Sequence, residues 1–203
     1  TVHEMMEQRG LTITDSNWKC DSTSMCNCSN PPTIRSFIGC KVNTFNITAE
    51  NDTSKIFVHH LRPFQKKKIP AESVTDILQM LPIRRYTSVI LIISADPSPN
   101  LSKTLYEFSK CTKIRVEIFK GLELMFNVTK HESVPRHEKL SSQEKSALFD
   151  SYSIDSKNLM LISPGDPVSR FYGFLPGDVI KIYRISETTG QSVTYRLVKK
   201  VHI

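Results

Sequence analysis

The sequence predicts an α/β unit over residues 1–125 followed by a small α+β unit over residues 126–203. Three observations carry that expectation. Strand-like and helix-like stretches alternate through the first 125 residues, the pattern of a sheet flanked by helices. Past residue 140 the pattern changes to short capped helical segments followed by two alternating strands. A length of 203 residues suits one large or two small domains, at roughly 100–200 residues each.

Residues 2–9 contain few strand formers and stop at Gly10, which reads as helix with a glycine end. Residues 12–32 turn to Ser, Thr, Asn, Asp and Cys and finish on Pro31 and Pro32, which is loop chemistry. Residues 34–47 and 55–61 are rich in Val, Ile, Phe and Thr, and the polar Glu50, Asn51, Asp52 and Thr53 between them predict a strand pair. Pro70 opens a helix, with Val74, Ile77, Leu78 and Leu81 repeating on one face. Residues 86–94 form a short apolar run, expected to be a strand covered on both faces. The Asp96, Pro97, Ser98, Pro99 turn breaks it. Leu101, Leu105 and Phe108 then stripe a helix, and Ile114, Val116 and Ile118 alternate with charged residues as a half-buried strand.

In the second unit, Ser141 with Glu144 three residues on is a capping-box pattern, and its helix should run to about Tyr152. A further capped segment is expected near Asp155. Asp166 and Pro167, with Gly173 six residues later, outline one short helical turn. Residues 178–184 and 193–198 alternate as strands, joined by the linker over residues 186–190.

The chain holds 27 Lys+Arg against 20 Asp+Glu, a net charge of +7. The excess is divided between the two parts, +4 over residues 1–126 and +3 over residues 127–203. A dedicated DNA-binding domain concentrates its cations to displace several counterions at once, whereas only Lys66, Lys67, Lys68 and the pair Arg84, Arg85 cluster here. These read as solvated loop or helix ends. The longest apolar run, residues 89–93, is far short of the roughly 20 residues a bilayer needs, and no apolar leader opens the chain. The chain starts on Thr1 rather than Met, so a few leading residues are expected to precede it.

Cys20, Cys26, Cys28 and Cys40 fall close together and Cys111 stands alone. Structural zinc sites favour pairs two to four residues apart, and no CxxC occurs, so reduced thiols are the favoured reading. Asn-x-Ser/Thr triplets at Asn27, Asn46, Asn51, Asn100 and Asn127 are taken as accidents of an Asn/Ser/Thr-rich chain.

No catalytic constellation emerges. Nucleophile-elbow and P-loop patterns are absent, and seven glycines leave no phosphate-cradling loop. His59 and His60 are adjacent on an expected strand and so point to opposite faces. His131 and His137 flank Pro135, which suggests a rigid turn. A metal-dependent nuclease would want an Asp/Glu-x-Lys triplet, and the only one is Asp155, Ser156, Lys157, in a loop of the second unit. Cys111 has no positioned histidine in sequence and is expected to be a buried small apolar residue. The chain is therefore expected not to be an enzyme on its own, with no catalytic residue, no metal and no cofactor.

The second unit is where the sequence becomes specific. GDPVSRFYG (residues 165–173), GDVIKIYR (177–184), SETTG (186–190) and VTYRLV (193–198) follow in order, after a HESVPRH segment at residues 131–137. This series resembles the fifth common subunit of eukaryotic DNA-directed RNA polymerases, whose C-terminal part is shared with a small archaeal RNA polymerase subunit. The resemblance covers roughly residues 125–198, and the preceding residues match only in layout and length. Departures mark a divergent member: Leu175 and Pro176 replace basic residues, Ile185 replaces a proline, Ser192 replaces an aromatic residue, Ser133 interrupts the opening motif, and residues 199–203 extend past the usual end.

The resemblance implies a noncatalytic structural subunit of a multisubunit polymerase. Residues 126–203 would be an assembly domain anchored to the largest subunit and touching other polymerase subunits. Residues 1–125 would be a jaw domain, nuclease-like in fold without an active site, beside downstream duplex DNA. Partner-docking residues would be Asp166, Pro167, Val168, Arg170, Tyr172, Lys181, Arg184, Glu187, Thr188, Tyr195 and Arg196. Pro97, Ser98, Pro99 and Lys103 would lie near DNA, with weak and nonspecific contact. Physical chemistry supports docking: Asp166 can cap the turn, and Arg170 and Arg196 can bind carboxylates in bidentate fashion. The implied location is the nucleus, or the cytoplasm for a viral homologue, with no membrane partner. The alternative carried forward is a stand-alone metal-dependent DNA nuclease or junction-processing enzyme, and a weaker third reading is a Cys-loop zinc or regulatory module.

Overall fold

A computed structural model of the chain describes residues 1–20, 42–52, 54–61, 68–69, 74, 78, 85–94, 96–153, 156–186 and 190–199. The chain divides into two compact units, Thr1–Phe126 and Asn127–Ile203.

In the first unit, helix α1 (Val2–Gln8) precedes strands β1 (Thr12–Cys20), β2 (Val42–Glu50), β3 (Lys55–His60), β4 (Lys68–Ile69), β5 (Ser88–Ile93) and β6 (Asp96–Pro97), helix α2 (Pro99–Thr112) and strand β7 (Arg115–Lys120). Five strands form a mixed sheet in the order β1-β2-β3-β5-β7, while β4 and β6 make a separate parallel pair. β1, β2 and β3 run antiparallel, and β3, β5 and β7 run parallel. Parallel strands must be covered on both faces, and every residue of β5 is buried. On one face the α2 stripe Leu101 and Leu105 joins Val89, Leu91 and Ile93 of β5 and Phe57 of β3, with Phe108 alongside. Val74 and Leu78 are buried in the same core, whereas Pro70, Ile77 and Leu81 of the expected helix lie outside the described residues.

The opposite face carries Glu117 of β7, paired with Ile90 in the ladder. Arg9, just past α1, grips Glu117 in a two-pronged pair: Nη2 to Oε2 at 2.9 Å and Nη1 to Oε1 at 3.4 Å. The end of α1 is thereby fixed to the sheet from a position 108 residues away in sequence. Gly10 follows with φ +73°, a left-handed conformation that suits a residue without a Cβ.

Three expectations fail in this unit. Lys68, read as a solvated loop or helix end, and Asp96 and Pro97, read as a turn, pair as the short strands β4 and β6. Residues 12–20, expected as loop, form edge strand β1, in register from Thr12↔Glu50 to Cys20↔Val42 with two irregularities. An outer strand whose side chains meet water needs no apolar alternation, and Thr12, Asp15 and Ser16 are exposed. Thr12 Oγ1 also donates to the Glu50 carbonyl at 2.9 Å, so hydroxyls strengthen a pairing that hydrophobic pattern cannot reveal. Cys111 is exposed, not buried. It lies in the last turn of α2, one turn beyond Phe108, the last of the stripe residues packed on the core. Cys26, Cys28, Cys40, Lys66, Lys67 and Arg84 lie outside the described residues.

The second unit holds β8 (Arg136–Lys139), α3 (Ser142–Tyr152), β9 (Met160–Ile162), α4 (Pro167–Tyr172), β10 (Val179–Ser186) and β11 (Gly190–Val198). Its sheet order is β8-β10-β11-β9, antiparallel except that β9 runs parallel to β11. The capping box at α3 forms as expected: Glu144 N–H donates to Ser141 Oγ at 3.3 Å and Ser141 N–H to Glu144 Oε2 at 2.8 Å. α3 sets Leu148 against Val179 on one side of the sheet, and Phe174 joins Ile162, Ile180, Ile182 and Val198 on the other. β8 and β9 were not expected. β8 is four polar residues long and β9 only three residues, too short to show a period. Asp155 lies outside the described residues.

Candidate docking surface of the C-terminal unit

The GDPVSRFYG segment builds α4 from its ends inward. Pro167 presets the first helical dihedral, and Asp166 Oδ1 accepts from the N–H of Val168 at 2.9 Å and of Ser169 at 3.3 Å. At the other end Gly173 adopts φ +72°. Its N–H donates to the Arg170 carbonyl at 3.1 Å, and the Phe174 N–H reaches the Ser169 carbonyl at 3.0 Å. These two bonds form a Schellman closure, in which left-handed backbone at the glycine satisfies the last free carbonyls. The closure delivers Phe174 into the core, where Tyr172 stacks on it with ring centroids 5.1 Å apart. Burial raises the Tyr172 hydroxyl pKa, against a hydrogen bond with the Thr129 side chain.

Val168 and Phe171 are buried within the unit, while Pro167 is exposed and Asp166, Arg170 and Tyr172 are half-buried. β10 and β11 are in register from Val179↔Leu197 to Ser186↔Gly190, so alternate residues share a face. Lys181, Tyr183, Val193 and Tyr195 fall on one face, and Arg184, Thr194 and Arg196 on the other. Tyr195 joins the α3 cluster. Glu187 and Thr188 lie outside the described residues.

Sequence reasoning missed the Arg136, Glu138 and Tyr183 group. Tyr183 donates its hydroxyl to Glu138 Oε2 at 2.7 Å, Glu138 pairs with Arg136, and Lys181 Nζ lies 4.8 Å from the Tyr183 ring centroid. The available signal was charge alternation in PRHEK, which places Arg136 and Glu138 on one face of a strand. His137 points to the other face, where its Nδ1–H donates to the Pro135 carbonyl at 2.6 Å. Burial lowers the His137 pKa. The Pro135 carbonyl and Asp166 oppose this, and Arg196 and Arg184 add to it. Asp166, Arg184 and Arg196, widely separated in sequence, thus act on one imidazole.

In the first unit, burial likewise lowers the His59 pKa, helped by His60. A histidine whose folded pKa lies below its unfolded value of about 6.5 contributes stability that is present above that value and is lost as pH falls through it. The melting temperature of the full chain is therefore expected to fall between pH 7.5 and pH 5.5, and His137→Gln should reduce the drop; an unchanged slope would contradict the assignment.

The residues expected near DNA cluster at one turn of the first unit. Pro97 belongs to β6 and Pro99 opens α2, while Ser98 Oγ accepts from the Leu101 N–H at 3.2 Å. Lys103 is exposed one turn further on. Lys120 Nζ anchors the same turn through Asp96 at 2.6 Å.

Residues 126–198 match the family described as RNA polymerase Rpb5, C-terminal domain. The chain is 38% identical over 131 residues to the DNA-directed RNA polymerases I, II, and III subunit rpabc1 of Dictyostelium discoideum, a stretch covering 63% of this chain and 66% of that protein. It is 34% identical over 131 residues to the corresponding RPABC1 of Caenorhabditis elegans, covering 64% and 61%. It is 35% identical over 125 residues to the DNA-directed RNA polymerase V subunit 5A of Arabidopsis thaliana, covering 62% and 53%. The chain thus spans less than two thirds of the length of these relatives. The nuclease alternative finds no support among them.

Proposed function

Because residues 126–198 match the RNA polymerase Rpb5 C-terminal domain family, we propose that the chain is a noncatalytic structural subunit of a multisubunit DNA-directed RNA polymerase. The observation that carries this reading is the coincidence of the family match, residues 126–198, with the independently compact unit Asn127–Ile203. That unit anchors the chain to the largest subunit, using the face of β10 and β11 that carries Arg184, Thr194 and Arg196. The first unit serves as the jaw beside downstream DNA, with the Pro97–Pro99 turn and Lys103 nearest the duplex. The setting is the nucleus, as expected for a chain similar to eukaryotic polymerase subunits.

Capture of the tagged full-length chain from its native cells tests the proposal. The large polymerase subunits are expected to co-elute in stoichiometric amounts, and a chain that elutes alone would refute it. DNA contact is a minor contribution, because scattered cations reach few phosphates. Duplex DNA binding by the isolated chain should therefore be weak and fall only shallowly with salt.

A further inference from the structure

Among the described residues, strand β11 leaves part of one edge unpaired. The Val198 N–H donates to the Asp178 carbonyl at 2.9 Å and the Val198 carbonyl accepts from the Gly177 N–H at 2.8 Å. Even-numbered residues of β11 therefore turn their backbone polar groups toward β10. Odd-numbered residues turn theirs away, as the Lys199 N–H donating to the Ile162 carbonyl at 3.1 Å confirms. On that outer side β9 covers only Arg196, Leu197 and Val198. Among the described residues, no strand pairs with Gln191 and Val193 there, so their N–H and C=O groups face outward.

The side chains along this edge are of two kinds. On one face of the edge strand Val193 is 44% exposed, and one strand further in, on β10, Ile185 opposite Gln191 is 90% exposed on the same face. On the other face stand Thr194 and Arg196, with Arg184 opposite Ser192. Thr194 Oγ1 and Arg196 Nε are withdrawn from solvent without a hydrogen-bond partner. Neither Arg184 nor Arg196 has an acidic partner within salt-bridge distance among the described residues. Buried donors without partners are costly, and guanidinium is matched best by a carboxylate.

We propose that this edge receives an extended segment of the polymerase partner in which apolar and acidic residues alternate. Its backbone adds as a short strand beside Gln191 and Val193, its apolar residue meets Val193, and its carboxylate reaches Arg196. Alternation follows from the period of two, since one face of the edge is apolar and the other cationic. A nucleic-acid strand does not fit, because the outward carbonyls need N–H donors at strand spacing and a phosphodiester backbone has none. The inference rests on the docking reading above and names the chemistry of its partner.

Two full-length variants and one exchange measurement test it. Val193→Pro removes an N–H that belongs to no ladder, a change an open edge tolerates, and Arg196→Gln removes the charge. Each folded variant is expected to leave the captured polymerase at least about tenfold faster than the parent chain. Hydrogen exchange at the Val193 amide should slow by at least about tenfold in the complex relative to the free chain, a readout that needs no variant. If the parent chain holds the polymerase and the variants hold it equally well, or the Val193 amide gains no protection, the inference falls and the docking reading stands. If the parent chain captures no large subunit, both fall. Loss of duplex DNA binding in Arg196→Gln alone, with polymerase retention unchanged, would assign the cations to phosphate and overturn the inference.

Discussion

Replacing Ile180 by alanine is expected to lower the unfolding free energy of the second unit by about 3 kcal/mol, within the usual range for emptying a large aliphatic site. Ile180 lies on β10, paired on one side with Arg196 of β11 and on the other with Lys139 of β8. Its side chain is fully buried and packs with Ile162, Phe174, Ile182 and Val198. Hydrogen-bonded neighbours on both sides prevent the backbone from moving in, so the cavity persists and adds to the lost transfer energy. Ile180→Val should cost only about 1 kcal/mol, giving a graded series. Denaturant unfolding followed by far-ultraviolet circular dichroism measures both; equal and negligible losses would mean that α4 and Phe174 do not close this face.

Glu117→Ala in the first unit is expected to cost about 3 kcal/mol, because it removes the carboxylate that the buried Arg9 guanidinium grips in a two-pronged pair. The Arg9 side chain is 6% exposed and that of Glu117 11%. Arg115 Nε also contacts Glu117 Oε1 at 3.1 Å, so the carboxylate serves two cations and its loss exposes both to mutual repulsion. Arg9→Ala should cost less, since Glu117 keeps Arg115. Replacing both with apolar residues of similar size should recover most of the loss, because a buried pair repays little beyond its own desolvation. A double-mutant cycle read by thermal unfolding separates these outcomes. Near-equal stability of Glu117→Ala and the parent chain would show that α1 is held by Met5 and Met6 burial alone.

Legibility in the sequence followed the source of each element's stability. Where apolar period decides, residues predicted structure closely: α2 from Leu101, Leu105 and Phe108, and the doubly covered β5 from its unbroken Val/Ile/Leu run. Where end groups decide, Ser141 with Glu144 and Asp166 with Gly173 marked α3 and α4 to within a residue. Strands too short or too polar to show an apolar period escaped notice. β1 exposes Thr12, Asp15 and Ser16 at a sheet edge, β8 is Arg136, His137, Glu138 and Lys139, and β9 is three residues long. The same blindness applied to the candidate surface. Arg184 and Arg196 could be named from sequence, but their shared position beside His137 depends on β8 lying next to β10, a pairing without an apolar signature.

Cross-linking of the assembly captured with the tagged chain, with a lysine-reactive reagent and mass-spectrometric mapping, bears most directly on the role of the second unit. Lys130, Lys139, Lys145 and Lys181 of the second unit are predicted to link to the largest subunit, at higher yield than Lys55, Lys103, Lys110 or Lys113 of the first. Links to the largest subunit arising only from the first unit would contradict the assignment of docking to residues 127–203.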